Sequence, residues 1–508
     1  MPTDITLTLI VFAPLVGAGI LLALPVQTDL HRFRVRTTAL FTTVVPLVVA
    51  IFDVMGEVGA PGQGSIPQPS IDAPWLRGFL FQLDYHLGTD GLNLLLLLAG
   101  CACFVALVLA SWRRRDRSRT YFALLLLVEV GVNGSFASQD LGLFLIFFFV
   151  PVLPLALLLG LDGNPAGRSA GRRLLLIQSL AALALLVAIL LLLWRSRVDS
   201  LNFTTLSTAN TAQGAPGLIV ETLFLFACLA RMGVFPLHRW LVGGVASAST
   251  PVGMLLALSG LPVGGYALVR LGVGIEPSGA VQLTLPLLAL ALVSLFFGAL
   301  SSLSCQNLRS LAGQLLVAYG GLVVLGVAIF SETSLSGALY LCFAFCFSAP
   351  LLLLIVGAVA DRGPAAYLGA LAGVGASASR LRLFFALAAA GLIGVPLLAG
   401  FPGIFEIVVS GLVAHRFITA LALLGVLLLT ASLARLGQRV FTGDRAAEAE
   451  IADSQGSELY SAWVLAGAAV LFGLFAGYFV PYTVQGTALV SARAAAAASA
   501  SPHHGAKS

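Results

Sequence analysis

Charge is scarce in this chain. Only 10% of its 508 residues are Asp, Glu, Lys or Arg, where a soluble domain carries roughly a quarter. Together with 59% hydrophobic residues, that deficit excludes a soluble globular protein. Cysteine is also sparse. Cys101, Cys103, Cys228, Cys305, Cys342 and Cys346 lie in or beside apolar runs, no set of four soft ligands is assembled, and no His accompanies either close pair, so they read as small buried hydrophobes rather than a metal or cluster site. There is no haem-ligand pair, cluster motif or dinucleotide loop, and therefore no reason to expect a redox cofactor on this chain. What remains is apolar sequence in runs of about 20 residues from Ile5 to Tyr482, about fourteen in all. The expected fold is all-α: a polytopic membrane protein of about 14 transmembrane helices.

The net charge of +5 does not imply a nucleic-acid partner, because the arginines cluster in short loops between apolar spans. Arg32, Arg34 and Arg36 follow the first span, Arg113, Arg114, Arg115, Arg117 and Arg119 the third, and Arg168, Arg172 and Arg173 the fifth, while Arg435, Arg439 and Arg445 precede the last. Basic loops face the cytoplasm, which leaves both termini on the other side. The first span starts after Asp4 with no basic leader and no convincing cleavage site before His31-Arg32, so it reads as a retained helix.

One stretch, Leu225 to Trp240, organises the rest. Arg231 stands inside an apolar helix that breaks at Gly233 and Pro236, just before His238 and Trp240. Lipid satisfies neither a guanidinium nor freed carbonyls, so this break should face a protein interior or a wet cavity; the alternative is an arginine that reaches to a helix end. A second interrupted apolar stretch runs from Leu392 to Gly403, with Glu406 following. Two broken helices in corresponding places point to an inverted-repeat transporter. Glu129 sits inside the fourth span with Asn133 one turn later, a carboxylate that must be paired or neutral. Pro151 and Pro154 should bend the fifth span. The long segment from Gly56 to Asp90 reads as an outer loop, with Asp90-Gly91 capping the third helix. The division expected is 1–118, three spans with the outer loop; 119–271 and 272–440, two repeats; 441–489, a loop and the C-terminal helix; and 490–508, a disordered tail whose His503 and His504 lack further ligands.

Three stretches resemble the antiporter-like membrane subunits of respiratory complex I, most closely the chain M type. Tyr85-His86-Leu87-Gly88-Thr89-Asp90-Gly91-Leu92-Asn93 is similar to that family's Tyr-His-x-Gly-x-Asp-Gly-Leu-Ser. Phe235 to Leu241 is similar to its Trp-Pro-Phe-His-Thr-Trp-Leu, and Gly265 to Arg270 to its Tyr-Gly-Leu-Leu-Arg. The resemblance implies two inverted five-helix repeats, other membrane-arm subunits as partners, and a bacterial inner or thylakoid-type membrane. It also implies that NADH or another donor, Fe-S clusters and quinone belong to partner subunits.

It further implies a proton path of Glu, Lys and His, and here the chain departs from its family. The positions of the usual relay fall at Phe149, Arg231, Pro262, Tyr319, Phe345 and about Ile404. What is left for a proton path or a buried ion pair is Glu129, Arg231, His238, Tyr319 and Glu406, with Arg231 expected to pair with Glu129. The expectation is a subunit nominally in proton translocation coupled to electron transport, with pumping weakened or lost and no catalytic centre of its own. Two other readings are a scaffold for a specialised complex I-like module, such as one for inorganic carbon uptake, and a stand-alone cation/proton antiporter.

Overall fold

The structure is a computed structural model and describes residues 3–25, 28–58, 70–77, 82–114, 116–161, 164–196, 200–208, 215–363, 366–368, 378–442 and 452–500. Arg115, Arg445, His503 and His504 lie outside them. Eleven stretches are helical, long and apolar enough to cross a membrane, and shorter or interrupted helices complete the set. The first four crossings are α1 (Thr3–Ala23), α2 (Asp29–Val58), α3 (Leu94–Ala110) and α4 (Ser118–Ala137). The fifth is bent into α5 (Leu141–Phe149) and α6 (Val152–Leu161) about Pro151, as the prolines lead one to expect, and α7 (Pro165–Ser196) is the sixth. After the short α8 (Phe203–Thr208), the seventh is broken into α9 (Ala215–Met232) and α10 (Arg239–Ser247).

Helix α11 (Thr250–Ala267) is the eighth crossing and ends in a π-helical turn, Leu268–Val273, before the short α12 (Pro277–Gln282). Then come α13 (Thr284–Ser304), α14 (Leu308–Ala328) and α15 (Glu332–Arg362), a second broken crossing of α16 (Ser379–Ile393) and α17 (Gly400–Ala414), α18 (Arg416–Gly437) and α19 (Ser457–Leu474). Among the described residues that makes fourteen crossings. The broken ones are the seventh and twelfth, five apart, so consecutive five-helix units traverse the membrane in opposite senses and are inverted copies.

Burial follows from this order. The apolar middles of α11 and α15 are surrounded by protein, whereas α1, α2, α18 and α19 present apolar faces outward. The centre of the molecule is thus the seam between the two units. A few helix starts are capped by side chains: Asp140 accepts from Gly142 N (2.9 Å) and Leu143 N (3.0 Å) at α5, and Ser331 and Ser334 form a reciprocal box at α15, satisfying amides a helix start leaves free.

Two expectations need correction. The outer loop is not irregular throughout, because β1 (Ser70–Arg77) and β2 (Gln82–Gly88) pair antiparallel, with Ser70 opposite Gly88. The tail is not disordered from 490: α20 (Ala476–Ala500) continues as helix to Ala500. Its alanines are the best helix formers, and Gly486 seats it against Gly91, where a Cβ on either glycine would stand 2.4 Å from the other's segment. Helix α20 therefore lies on the same face of the protein as the hairpin.

Candidate functional site

The break in the seventh crossing is built on the main chain. Gly233 takes a left-handed conformation (φ +71°), which glycine alone adopts without strain, and the helix stops. The carbonyl of Ala230 loses its helical donor and receives two others, Trp240 Nε1 at 3.0 Å and Gln178 Nε2 at 3.2 Å. On the far side of the break Phe235 N donates to Ser294 Oγ (3.1 Å), which donates in turn to Val317 O (3.2 Å). Three helices, α7, α13 and α14, thus hold one interruption open, as membrane depth requires of irregular backbone.

Arg231 points into this frame and is buried. Its guanidinium lies over the Phe148 ring, 4.9 Å from the centroid, and Nη1 makes one long hydrogen bond to Gln178 Oε1 (3.4 Å). Nε and Nη2 have no hydrogen-bond partner. The expected pairing with Glu129 is absent. Glu129 lies on the α4 face turned to α2 and α3, where Oε2 accepts from Thr43 (3.0 Å) and Oε1 has no hydrogen-bond partner. The two charges are on different faces of different helices, so each is held by neutral groups.

The other sequence candidates divide. Tyr319 and Phe345 meet, buried with ring centroids 5.1 Å apart, and the Tyr319 hydroxyl donates to Leu341 O (3.4 Å). His238 packs between Phe235 and Phe297, with centroids 5.6 and 4.7 Å away, and its Nδ1 has no hydrogen-bond partner. Pro262 is buried within α11. Ile404 and Glu406 belong to the second broken crossing, Ile404 against Gly394 and Glu406 against Gly337. Phe149 is misplaced by the sequence reading: it is 44% exposed on the outer surface of the fifth crossing, and the ring that meets Arg231 is Phe148. One residue turns a helix by about 100°, and the bend at Pro151 sets which of the two faces inward.

Three further features escaped the sequence reading. Gln178 and Glu221 are the longer polar side chains of short polar pairs, Gln178-Ser179 and Glu221-Thr222, inside apolar runs, which was a usable signal. Glu221 is buried with neither carboxylate oxygen hydrogen-bonded. Arg270 and Asp90, each part of a family-like stretch, form an ion pair, and Arg270 also donates to Gln139; nothing in one sequence shows that these three meet. Asp90 does cap α3, accepting from Leu92 N (2.9 Å) and Asn93 N (3.2 Å).

On the same hairpin face Asn202 Oδ1 accepts from Thr204, so its Nδ2 donates to His86 Nδ1 (2.7 Å) and that nitrogen must be unprotonated. Burial pulls His86 below its ordinary range, opposed by Asp72 and Asp84 and reinforced by Arg270. A histidine whose folded pKa lies under its unfolded value of 6.5 contributes stability that is full above 6.5 and lost as pH falls through the folded value. Melting of the purified protein at pH 7.5 and 5.5 should show a smaller difference for His86→Gln than for the unchanged protein; an equal difference would remove His86 from the acid response.

Comparison with known proteins agrees with this architecture. The family model for the NADH:quinone oxidoreductase/Mrp antiporter transmembrane region matches residues 138–430. NAD(P)H-quinone oxidoreductase chain 4 1 of Synechococcus sp. (strain JA-3-3Ab) is 31% identical over 372 residues, 71% of this chain and 70% of the relative. Chain 4 2 of Thermosynechococcus vestitus is 27% identical over 450 residues, 87% and 83% of the two. A chain of respiratory complex I from Thermus thermophilus superposes with a TM-score of 0.85 at 25% identity, over 96% of this chain and 99% of that one. A chain of the Mrp complex from Dietzia sp. DQ12-45-1b gives 0.83 at 20% identity over 98% and 100%, a likeness of fold. The fourteen crossings, the two inverted units with their broken helices and these matches lead to one conclusion: this chain belongs to the NADH:quinone oxidoreductase/Mrp antiporter family of membrane subunits, the antiporter-like subunits of complex I-type assemblies.

Proposed function

We propose that this chain is an antiporter-like membrane-arm subunit of a complex I-type quinone oxidoreductase in which proton pumping is weakened or lost. The observation that carries the reading is the surrounding of Arg231: an aromatic ring, one amide and no carboxylate. A relay group must gain and lose a proton within a few kcal/mol. A desolvated lysine is brought toward neutral pH by burial, whereas arginine stays protonated. The chain's single lysine is Lys507, so none stands in a crossing. Phe148, Phe345 and Pro262 carry no proton and recruit none of the waters a proton wire needs.

In this reading the chain has no catalytic centre and holds no redox group; NADH or another donor, Fe-S clusters and quinone reside on partner subunits, with other membrane-arm subunits flanking it. It sits in a bacterial inner or thylakoid-type membrane with both termini on the non-cytoplasmic side, as the basic loops require. Proton uptake by sealed vesicles containing the purified native complex tests it. The expected result is fewer protons per electron pair than a complex whose every antiporter-like subunit conducts, with Arg231→Lys leaving the ratio unchanged. A full ratio, or its restoration by the lysine, would overturn the proposal.

A further inference from the structure

Leu87 of the hairpin bridges to Ser138, just after α4, so the start of α4 lies on the opposite face of the chain, with the end of α6 and the start of α7. Residues of these three helices enclose an open groove of about 740 Å³. Its floor is formed where α6 and α7 meet closely: a Cβ on Gly171 would stand 2.8 Å from Ala156 O. A Cβ on Gly160 would stand 3.6 Å from Arg168 Cγ, so the stem of Arg168 lies across α6. Arg117, in a left-handed conformation (φ +47°) just before α4, reaches the same helix end from the other side, donating from Nη1 to Leu161 O (3.1 Å). Arg172, one turn beyond Arg168 on α7, completes a rim of three arginines.

Other arginines of this face have acids. Arg32 pairs with Asp29, Arg309 with Asp361 and Arg362 with Glu458. Among the described residues Arg117, Arg168 and Arg172 have no such ion pair. The segments that supply the rim, 113–119 and 162–173, hold eight arginines against Asp116 and Asp162; Asp162 lies outside the described residues. The guanidinium fork matches a phosphate in shape as well as charge. Below the rim the walls are apolar. Leu124, Leu157 and Leu175 line them, and Leu175 stands ten positions after Pro165, the start of α7, about 15 Å of helix. Leu153 on α6 and Leu176 and Leu180 on α7 are exposed, so apolar surface continues from the groove toward the hydrocarbon.

A basic rim above an apolar channel suits one class of molecule. A soluble anion would satisfy the arginines but leave the leucines uncovered, in a volume many times the roughly 30 Å³ share of one water. An uncharged lipid would cover the leucines and leave the arginines without a counterion. We propose that the groove between α4, α6 and α7 holds an anionic phospholipid of the leaflet opposite the hairpin, its phosphate on Arg117, Arg168 and Arg172 and its acyl chains along Leu157 and Leu175. Basic pockets between transmembrane helices bind such headgroups through this combination. The site uses none of the central groups and does not rest on whether the complex pumps.

Photolabelling of the intact complex in phosphatidylcholine nanodiscs tests it, with a small fraction of either phosphatidylglycerol or phosphatidylcholine carrying a photoreactive acyl chain. After digestion, the stretch from Leu153 to Leu180 should be labelled more strongly by the glycerol lipid than by the choline lipid. Arg168→Gln and Arg172→Gln should each lower that preference about fivefold, the equivalent of about 1 kcal/mol per basic residue at a membrane surface; both side chains are exposed, so the variants should assemble. Arg382→Gln, an equal loss of charge in the first turn of α16 on the same face, should leave it unchanged. Equal labelling by the two lipids overturns the proposal, and that comparison needs no variant. A loss as large in Arg382→Gln also overturns it, since the preference would then be a general attraction to a positive face. So does a preference that vanishes in phosphate but not in chloride of equal ionic strength, which would assign the rim to a free anion. Absence of label from both lipids overturns it as well, showing the groove covered by a neighbouring subunit.

Discussion

Arg270→Met should destabilise the subunit by about 3 kcal/mol and deplete it from the assembled complex, while Arg231→Met should leave stability unchanged or raise it. Arg231 is buried and the Arg270 side chain is only 11% exposed, and the difference lies in what surrounds them. Arg270 donates one nitrogen to Asp90 and another to Gln139, and its guanidinium covers the Phe203 ring at 4.8 Å from the centroid. Asp90 spends its other oxygen on Leu92 N and Asn93 N, and Asn93 Nδ2 reaches Gly88 O (2.9 Å) and Phe136 O (2.7 Å). Removing Arg270 leaves Asp90 and Gln139 facing each other without a cation at the junction of hairpin, α3, α4 and the eighth crossing. Breaking such a pair costs about 3–5 kcal/mol; Asp90 retains 26% side-chain exposure, which places the effect at the low end.

Arg231 has no carboxylate to strand, and its Nε and Nη2 are unsatisfied already. Replacing it with an apolar chain of similar length removes a desolvated charge and keeps the contact with Phe148, the circumstance in which such a replacement is neutral or stabilising. Melting temperatures of the purified complexes decide the point. If Arg231→Met falls as far as Arg270→Met, Arg231 has a counterion supplied by another subunit.

The contrast also marks what one sequence can disclose. Crossings were legible because a 20-residue apolar run has few other uses, and both breaks because Gly233 with Pro236, and Gly394 with Pro396, join a glycine that takes the left-handed conformation to a residue with no amide donor. The direction a residue faces was not. The pairing of Arg231 with Glu129 assumed that two lone charges in an apolar chain must find each other, but that depends on helix rotation, and Glu129 turns to Thr43 instead. The same rotation exchanged Phe148 for Phe149. Glu221 was missed although it shares the apolar run of α9 with Arg231, because nothing in the run shows that its carboxylate is buried with neither oxygen hydrogen-bonded. The Arg270–Asp90–Gln139 cluster spans long separations in the chain. Long-range polar contacts are therefore where the structure adds most.

Gly298→Leu should have a comparable or larger effect, and for a reason that involves no charge. At this position α13 and α14 meet backbone to backbone: a Cβ would stand 2.4 Å from Ala318 N and 2.6 Å from Gln314 O. The contact is repeated about two turns away, where a Cβ on Gly321 would stand 2.5 Å from Leu295 N and 2.6 Å from Ala291 O. Small residues at helix interfaces allow this approach in a membrane, where close packing rather than hydrophobicity holds helices together. Main-chain atoms cannot swing aside as a side chain can, so a leucine must part the helices, and the cost should exceed the 1–3 kcal/mol roughly typical of overpacking. The damage also reaches the central site, because Ser294 lies one turn from Gly298 and links Phe235 N to Val317 O, so separating α13 from α14 loosens the support of the broken helix. The matched control is Gly243→Leu on α10, where a Cβ meets nothing within 4 Å. Native gels and melting curves should show loss of assembly for Gly298→Leu and near-normal assembly for the control. Equal behaviour of the two would mean that the α13–α14 seam has room to yield, and that the broken helix is held by Trp240 and Gln178 without it.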